Sequence, residues 1–527
     1  MQKKIVYILP LLLLLFWTKT NAQNFNISNE RTFSNLFNKH VDTLNKFHTS
    51  IKPFSKNEIS DFDVIIDSYK TEKGVLIRNK HLIESSSKKI KLTLDPVVNL
   101  GITFEKNSAT SQSITETSFG FNLQTSFGKK WSSQIAILSD NSKYPSHIDS
   151  LVKNKNISPG YGYSKSGRAF AAQANITFTA DDHFTFQLGY GKNFIGDGYR
   201  SLFLSDNANS YPYLKVTANI WKLKYMALYA NYQDIRFSDG NMNDFSQKLS
   251  TVHYLSYNAT KWWNIGLFES IMWQAQEGNY YRGYDINYFN PVIFLRPTEY
   301  SQGSADNALL GGSMKFKILK KNIFYSQLIL DEFLLGELKS GNGWWANKYG
   351  CQLGIKSYDF LWNKNLTLQL EYNSVRPFTY THSFTQTNIS TLQNYAHFSS
   401  PLAHPLGANF NEAMVSLTYQ KKRWIIEGMT TIAQVGLETS DTASIGQDIY
   451  LTNNNRASEY GNFTTQGLTT DIINSTLKVS YLINPKSQLT LQAGITNRTY
   501  KNSIESTSTN MIFFGIKTGL MNRYFDF

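Results

Sequence analysis

Cysteine is nearly absent from this sequence. Cys351 is the single cysteine among 527 residues, which excludes an internal disulfide framework because a disulfide needs two thiols. Its position, far from the amino terminus, also excludes a lipid anchor of the lipoprotein type. We therefore expect no covalent tether of either kind.

Charged residues and long apolar runs are also scarce. Charged side chains make up 17% of the chain, against about 25% in ordinary soluble domains. The mean hydropathy is −0.34, and beyond the first residues no apolar run reaches the length of about 20 that a spanning helix requires. A helical membrane protein is therefore excluded. A membrane protein built from strands is not, because its inward-facing side chains are polar.

The net charge of +13 leaves two interpretations. The charge belongs either to a solvated surface or to a surface that attracts anionic lipid headgroups or acidic polysaccharide. The sequence contains no dense run of Lys and Arg and no recognition module, so no nucleic-acid partner is predicted. Aromatic residues, in contrast, are abundant: 31 Tyr, 35 Phe and 10 Trp bring the aromatic share to 14%. Many aromatic and few charged residues suit a barrel wall with lipid-facing girdles.

Both ends of the chain carry features of an exported barrel. Lys3 and Lys4 precede an apolar run over residues 5–17, and Ala22 supplies a small residue at the expected cleavage position. Residues 1–22 are therefore predicted to be a secretory signal peptide. At the other end, Phe527 with an aromatic residue two positions earlier resembles the closing-strand signal of outer-membrane barrels. Residues 512–520 have the opposite parity, which a bulge would reconcile.

A period-two alternation of apolar and polar residues recurs along most of the chain. It is clearest in residues 366–373, where Leu366, Leu368, Leu370 and Tyr372 share one face. Such alternation predicts strands with one apolar face, and if that face meets lipid, Glu371 points into the lumen. A soluble sandwich would instead bury the leucines in its own core.

Short and long connections alternate between the predicted strands. The short turns carry tryptophans that would suit the level of the lipid headgroups, while the long loops include residues 193–213, 274–307, 376–411 and 438–470. Short turns on one side and long loops on the other are typical of outer-membrane barrels. The predicted tryptophans of the turns are Trp131, Trp221, Trp262, Trp263, Trp362 and Trp424.

The predicted fold is all-β: one large antiparallel outer-membrane β-barrel over residues 91–527, with about 16–18 strands. Residues 23–90 have a different pattern of apolar residues. Apolar residues near positions 36–47 are spaced by three or four, and a second such stretch covers residues 58–69, so two short helices are predicted. We expect this part to be a small periplasmic element, partly helical, against the barrel mouth or inside it. The alternative is a flexible tail.

Several stretches together resemble the capsule-assembly Wzi-like family, in particular the branch of the gliding-motility protein RemB. They are residues 191–202 (GKNFIGDGYRSL), 204–206, 289–292 through Arg296, 306–307, 327–332, 343–348 (GWWANK), 371–380 (EYNSVRPFTY), and 403–409 (AHPLGAN) with Glu412. The resemblance covers most of the chain after about residue 95. It implies an outer-membrane barrel of roughly eighteen strands that either attaches polysaccharide as a lectin or serves the gliding apparatus as a surface component.

No residue pattern indicates catalysis or metal binding. Asp331 and Glu332 are adjacent, so strand geometry sends them to opposite faces. His382, His397 and His404 lack ligand spacing, and the serines lack a nucleophile-elbow context. We predict no enzyme activity, no cofactor and no metal.

Aromatic residues beside Arg, Asn and Glu suit sugar binding, because a ring can stack on the apolar face of a sugar while polar groups bind its hydroxyls. The alternative for Trp344, Trp345 and the stretch 376–380 is an aromatic girdle or loop core. Arg376, Asn409 and Glu412 could equally form a structural network that closes the extracellular mouth. The candidate ligand-binding residues are Arg200, Arg296, Trp344, Trp345, Glu371, Arg376, Tyr380, His404, Asn409 and Glu412.

The predicted function is that of an outer-membrane surface protein that binds or organises polysaccharide and takes part in gliding motility. Its predicted partners are outer-membrane lipid, cell-surface polysaccharide, and gliding or secretion machinery. A passive diffusion channel is the second hypothesis and a barrel enzyme the third.

Overall fold

The structure is a computed structural model, and it describes most of the chain. The predicted signal peptide and Arg296 lie outside the described residues. The described ranges are 24–44, 47–59, 61–69, 79–87, 89–108, 110–155, 157–164, 168–238, 241–277, 280–294, 306–383, 391–440 and 443–527.

Within these ranges, eighteen antiparallel strands form a closed barrel. The last strand, β18, pairs with the first, so that Met511 lies opposite Glu105 and the sheet has no free edge. The predicted fold class is confirmed. The strands are Ile90–Lys106 (β1), Ser111–Phe127 (β2), Trp131–Asn141 (β3), Arg168–Thr179 (β4), Phe184–Gly191 (β5), Tyr211–Ile220 (β6), Leu223–Asp234 (β7), Ser246–Asn258 (β8), Trp263–Gln274 (β9), Asn307–Ile318 (β10), Asn322–Leu330 (β11), Tyr349–Tyr358 (β12), Leu366–Val375 (β13), Phe410–Lys421 (β14), Trp424–Leu437 (β15), Leu468–Asn484 (β16), Leu489–Lys501 (β17) and Ser506–Thr518 (β18).

Alternate residues of each strand face outward or into the lumen. In β13, Leu370 and Tyr372 are 38% and 44% exposed on the outer face, whereas Glu371 is buried in the lumen. Their apolar side chains have no protein layer over them, so lipid is the medium that fits this face. The predicted orientation of this strand is confirmed.

Short turns occupy one rim of the barrel, and the predicted long loops all lie at the other, together with the two short connections β1–β2 and β17–β18. Trp221 and Trp362 project from short turns, and Trp362 is 94% exposed. An indole at such a position keeps its ring in lipid and its N–H near the headgroups. The first strand, β1, begins at the rim with the short turns, and the last strand, β18, ends there. We therefore assign this rim to the periplasm and the long-loop rim to the extracellular side.

The amino-terminal element, in its described residues 24–44, 47–59 and 61–69, lies inside the periplasmic half of the lumen, whereas Ile83–Ser86 pairs with the beginning of β1 at the wall. The two predicted helices are present as Arg31–Thr43 (α1) and Phe62–Asp67 (α2). The apolar face of α1 packs on both α2 and the wall, where Ile425 and Leu482 face inward. Leu482 has the opposite parity to Leu477, Val479 and Tyr481 of its strand, and this packing explains its inward position.

The residues after β18 correct one prediction. The closing strand ends at Thr518, and residues 519–527 turn back into the lumen rather than continue the strand. Tyr524 donates a hydrogen bond to Asp206, and the backbone carbonyl of Asp526 accepts one from Thr431. No bulge is needed for the parity of Phe525 and Phe527, because both residues have left the barrel wall.

A packed apolar core occupies the lumen. Its residues come from the inner faces of the strands and from two long loops that fold inward, residues 192–210 and the described parts of the second loop, 376–383 and 391–409. Phe203 of the first loop stacks on Phe268 of β9 with ring centroids 4.6 Å apart, and Tyr380 of the second stacks on Tyr395. The core fixes both loops against the wall.

Further elements belong to the loops and to the amino-terminal element. Two helices, Ser146–Lys155 (α3) and Leu335–Ser340 (α4), lie in extracellular loops. Of the described helices, none combines the length and the apolar character needed to cross a membrane. The short strands are Ile51–Lys52, Ile83–Ser86, Ile157–Ser158, Gly162–Tyr163, Phe194–Ile195, Gln276–Glu277, Tyr280–Tyr281, Ala396–His397 and Ser400–Pro401, and the 3-10 turns are Lys56–Glu58, Met242–Asp244, Ile286–Phe289, Phe360–Trp362 and Asn453–Asn455.

Candidate functional site

The loop between β5 and β6 brings Arg200 to the centre of the lumen. Its backbone passes so close to Glu371 that a Cβ on Gly198 would lie 2.5 Å from Oε2 of that carboxylate. Glycine is therefore the residue that fits there. The amides of Tyr199 and Arg200 donate to the two oxygens of Glu371 at 2.6 and 2.9 Å, so the carboxylate holds the loop in place.

Arg200 joins three parts of the chain. Its guanidinium Nη2 donates to Glu412 on β14 at 2.9 Å, and Nη1 donates to Asp526 at 3.2 Å. Burial disfavours the charged guanidinium, but the two carboxylates outweigh it and raise the pKa of Arg200 well above its usual range. The Arg200–Glu412 pair is fully desolvated and the side chain of Asp526 is only 10% exposed, so each partner is needed to keep the others satisfied.

His404 completes this buried network. Its Nε2 lies 2.7 Å from Oε2 of Glu412, and both side chains are inaccessible to solvent. Burial lowers the pKa of His404, despite the opposing attraction of Glu412. Four of the predicted site residues, Arg200, Glu371, His404 and Glu412, are thus brought together, and their polar groups are engaged with each other.

Tyr380 and Asn409 are buried elsewhere in the extracellular half. Tyr380 donates its hydroxyl to the carbonyl of Leu202, which ties the two inward loops together. Asn409 has a positive φ of 57° and donates through Nδ2 to the carbonyls of Gly436 and Gln466. Asn409 thus has the structural role that the sequence leaves open for it, and Tyr380 belongs to the loop core.

Trp344 and Trp345 lie at the extracellular surface. Both indole N–H groups donate to the same oxygen of Glu459, at 3.1 and 3.0 Å, and the guanidinium of Arg456 lies 4.4 Å from the ring centroid of Trp345. We call Trp344, Trp345, Arg456 and Glu459 the tryptophan cluster. It is partly exposed, unlike the network around Arg200.

Backbone contacts between two loops hold the tryptophan cluster in position. The amide of Trp345 donates to the carbonyl of Glu459, and the amide of Asn462 donates to the carbonyl of Gly343. Arg376 reaches the same place and donates to the carbonyl of Asn462 at 3.2 Å. The predicted residues Arg376, Trp344 and Trp345 are therefore neighbours, with Arg376 acting beneath the surface.

Sequence reasoning missed Asp526, Arg31 and Tyr524. Arg31 on α1 donates to the hydroxyl of Tyr524 at 2.5 Å and lies over the ring of Tyr199. The signal in the sequence was the parity break before Phe525, which we interpreted as a bulge and which instead marks where the chain leaves the strand. Among the described residues, no group of three or more His, Cys, Asp and Glu side chains could hold a metal ion.

Comparisons with known proteins show which solved structures share this fold. No family model matches the chain, and no curated protein sequence does. Wzi of Escherichia coli, an outer-membrane protein involved in group 1 capsule assembly and described as a carbohydrate-binding β-barrel, aligns with a TM-score of 0.56 and 12% identity over 93% of this chain and 98% of its own. OpdL of Pseudomonas aeruginosa aligns with a TM-score of 0.42 and 7% identity over 80% and 98%. OprD of the same organism aligns with 0.42 and 8% over 85% and 98%.

At these identities the similarity to Wzi concerns the fold alone, and the alignments with OpdL and OprD are weaker still. The closed strand order, the outward apolar residues and the turns bearing tryptophan agree with that fold. The chain is an outer-membrane β-barrel, as its sequence predicts.

Proposed function

We propose that this protein is a non-enzymatic surface barrel that binds or organises cell-surface polysaccharide through its extracellular loops. The observation that carries the proposal is the tryptophan cluster. Two partly exposed indoles are fixed by one carboxylate and flanked by an arginine. Fixed aromatic faces beside charged hydrogen-bonding groups suit the two faces of a sugar ring.

Further aromatic side chains flank the tryptophan cluster. Tyr460 and Phe463 follow Glu459 on the same loop and are 48% and 62% exposed. A polysaccharide extends over several sugar rings, so a row of exposed rings provides more stacking positions than one site would. The basic character of the chain, with a net charge of +13, favours an acidic polymer.

The filled lumen supports surface binding over a passive diffusion channel. A general channel needs a polar, water-filled path, whereas Phe203 and Tyr380 belong to an apolar core inside this barrel. Enzymatic activity is disfavoured for a related reason. His404 is enclosed with Glu412 away from solvent, where no substrate reaches it.

The cellular role that we propose is attachment of capsule or exopolysaccharide, together with a part in gliding motility. The first role rests on the tryptophan cluster and on the fold shared with Wzi, whose carbohydrate binding is a property of that protein. The second rests on the resemblance of the sequence motifs to the RemB branch, and gliding or secretion machinery would supply the protein partners.

Deletion of the gene tests the proposal in cells. Cell-bound polysaccharide and surface spreading are measured after complementation with the wild-type gene, a Trp344→Ala/Trp345→Ala variant, or a Trp362→Ala control in a periplasmic turn. We expect the wild type and the control to restore the cell-bound polysaccharide and the double variant not to. Unchanged polysaccharide and unchanged spreading in the deletion strain would contradict both roles.

A further inference from the structure

A cavity of about 410 Å³ lies in the periplasmic half of the lumen, between α1 and the barrel wall. Asn35 and Lys39 of α1 form one side. Lys364 and Lys422, exposed residues of two periplasmic turns, line its outer part, so the cavity opens towards the periplasm. Its volume falls in the range of about 300–1,000 Å³ that small-molecule sites occupy. We call it the vestibule cavity.

The lining of the vestibule cavity is strongly basic. Of the described residues, seven Lys and Arg side chains line it, against two carboxylates, Asp206 and Glu427. Some of the cations have partners: Lys39 pairs with Asp359 at 2.5 Å, Lys356 with Asp42 at 3.5 Å, and Lys478 with Glu427 at 2.8 Å. These pairs leave an excess of positive charge inside the cavity.

Lys52 is the central unpaired cation. Among the described residues, no carboxylate lies within ion-pair distance of its ammonium, which sits 4.9 Å from the ring centroid of Phe194. Burial and repulsion from Lys356 lower the pKa of Lys52 to about 8, against the weaker attraction of Asp197 and Asp42. A partly buried ammonium without an ionic partner, close to other cations, is costly, and an anion in the cavity would relieve that cost.

The remaining walls supply rings and amides. Phe194, Tyr358 and Tyr69 present aromatic surface, while the side chains of Gln369 and Asn365 present neutral hydrogen-bonding groups. Rings stack on the apolar faces of sugars, and amides bind sugar hydroxyls. A bare inorganic ion would use the cations alone, whereas an anionic saccharide would use all three kinds of group.

We infer that the vestibule cavity binds a saccharide bearing an anionic group, with Lys52 pairing to that group. The shared chemistry is a carboxylate or a phosphate on a sugar ring. The vestibule cavity and the tryptophan cluster lie at opposite ends of the barrel, so this site does not depend on the proposed surface function.

Calorimetric titration of the detergent-purified full-length protein tests the inference. The probes are D-glucuronate, glucose 1-phosphate, D-glucose and inorganic phosphate. We expect at least one anionic sugar to bind at least tenfold more tightly than both glucose and phosphate, and the one that binds identifies the anionic group. Failure of both anionic sugars to bind would overturn the inference, as would phosphate binding equally well.

Two variants locate the binding. Lys52→Gln removes the unpaired charge, and because that charge has no carboxylate partner, the variant is expected to fold and to lose at least tenfold in affinity for the anionic sugar. Lys222→Gln is the matched control, since Lys222 is an exposed lysine of another periplasmic turn. Equal affinity in Lys52→Gln and wild type would overturn the assignment to this cavity.

Discussion

Asp526 lies with Oδ1 of its carboxylate 3.2 Å from Nη1 of Arg200, although 326 positions of sequence separate the two residues. The contact joins the carboxy-terminal tail to the loop that fills the centre of the lumen. Arg200 also contacts Glu412 on the wall, so one guanidinium connects tail, loop and barrel. This connection explains how the carboxy-terminal tail, which is not part of the sheet, is held inside the barrel.

Replacing Asp526 should weaken the tail without preventing folding. Asp526→Asn leaves Arg200 with Glu412 but removes one charged hydrogen bond, which costs about 1.5–3 kcal/mol. We expect the variant to lose its folded electrophoretic mobility at a lower temperature than the wild type. Asp244→Asn, at an exposed loop position, is the control. Identical transition temperatures for both variants and the wild type would contradict the role of the Arg200 contact.

Attachment of the amino-terminal element should depend on pH through Asp197. This carboxylate accepts hydrogen bonds from Thr49 and Ser50 and lies 3.8 Å from Lys315. Burial opposes its ionisation, but Lys315, Lys52 and the two hydroxyls together lower its pKa to about 2. Because the folded pKa is depressed, the stabilisation is present above the ordinary value near 4 and is lost as the pH falls towards 2.

Hydrogen exchange of residues 47–59 measures this effect. We expect protection to fall between about pH 4 and pH 2 in the wild type. Asp197→Asn should show lower protection at neutral pH, by about 2 kcal/mol, and should lack this acid-dependent part. Wild-type protection that is the same at pH 5 and pH 2 would argue against the contact.

The two faces of the barrel wall should respond differently to charge. Leu370→Arg places a cation on the lipid-facing side, at a cost of about 2–4 kcal/mol near the middle of the bilayer. Thr418→Arg places the same residue on the inner face, where Thr418 lines the vestibule cavity. Urea titration of both variants in lipid should show a loss of stability for the first and a much smaller change for the second. A larger loss of stability for Thr418→Arg than for Leu370→Arg would contradict the assignment of the lipid-facing and inner faces.

The packed lumen predicts that the protein does not conduct ions across a bilayer. Because residues 192–210, 376–383 and 391–409 of two loops contribute to an apolar core, the purified protein should produce no steady conductance in planar bilayers. A general diffusion channel of the same strand number gives stable open steps under the same conditions. Stable steps from the wild type would restore the channel hypothesis.

The wall could be predicted from the sequence because its rule is local. Leu370 and Glu371 face opposite sides in any strand, so the alternation specified which side chains meet lipid. The position of Trp362 followed from the turn that bears it. Each of these features depends on a few neighbouring residues, and each is present in the structure.

The contacts inside the lumen could not be predicted, because they join distant residues. Nothing near Asp526 in the sequence indicates that it pairs with Arg200. The inward position of Leu482 departs from the alternation of its neighbours and is explained only by its packing against α1. The outer wall holds a similar case. Glu269 faces outward on β9, yet it accepts a hydrogen bond from the amide of Phe294, in a loop that covers this part of the wall.

Only part of the candidate site could be predicted, because some of its features depend on neighbouring residues and others on contacts between distant ones. Trp344 and Trp345 lie side by side in the sequence, and their surface position follows from a long loop. Arg200 and Glu412 matched family motifs, yet the motifs do not reveal that the two residues pair with each other and are buried. A motif identifies residues that matter, while only the fold separates those that support the loops from those that remain partly exposed.

Binding of the purified protein to an array of bacterial polysaccharides tests the proposed function most directly. The wild type and the Trp362→Ala control should bind at least one acidic polysaccharide, and Trp344→Ala/Trp345→Ala should lose that binding at least tenfold while keeping its folded mobility. Absence of binding by the wild type, or equal binding by the double variant, would contradict the assignment of polysaccharide recognition to the tryptophan cluster.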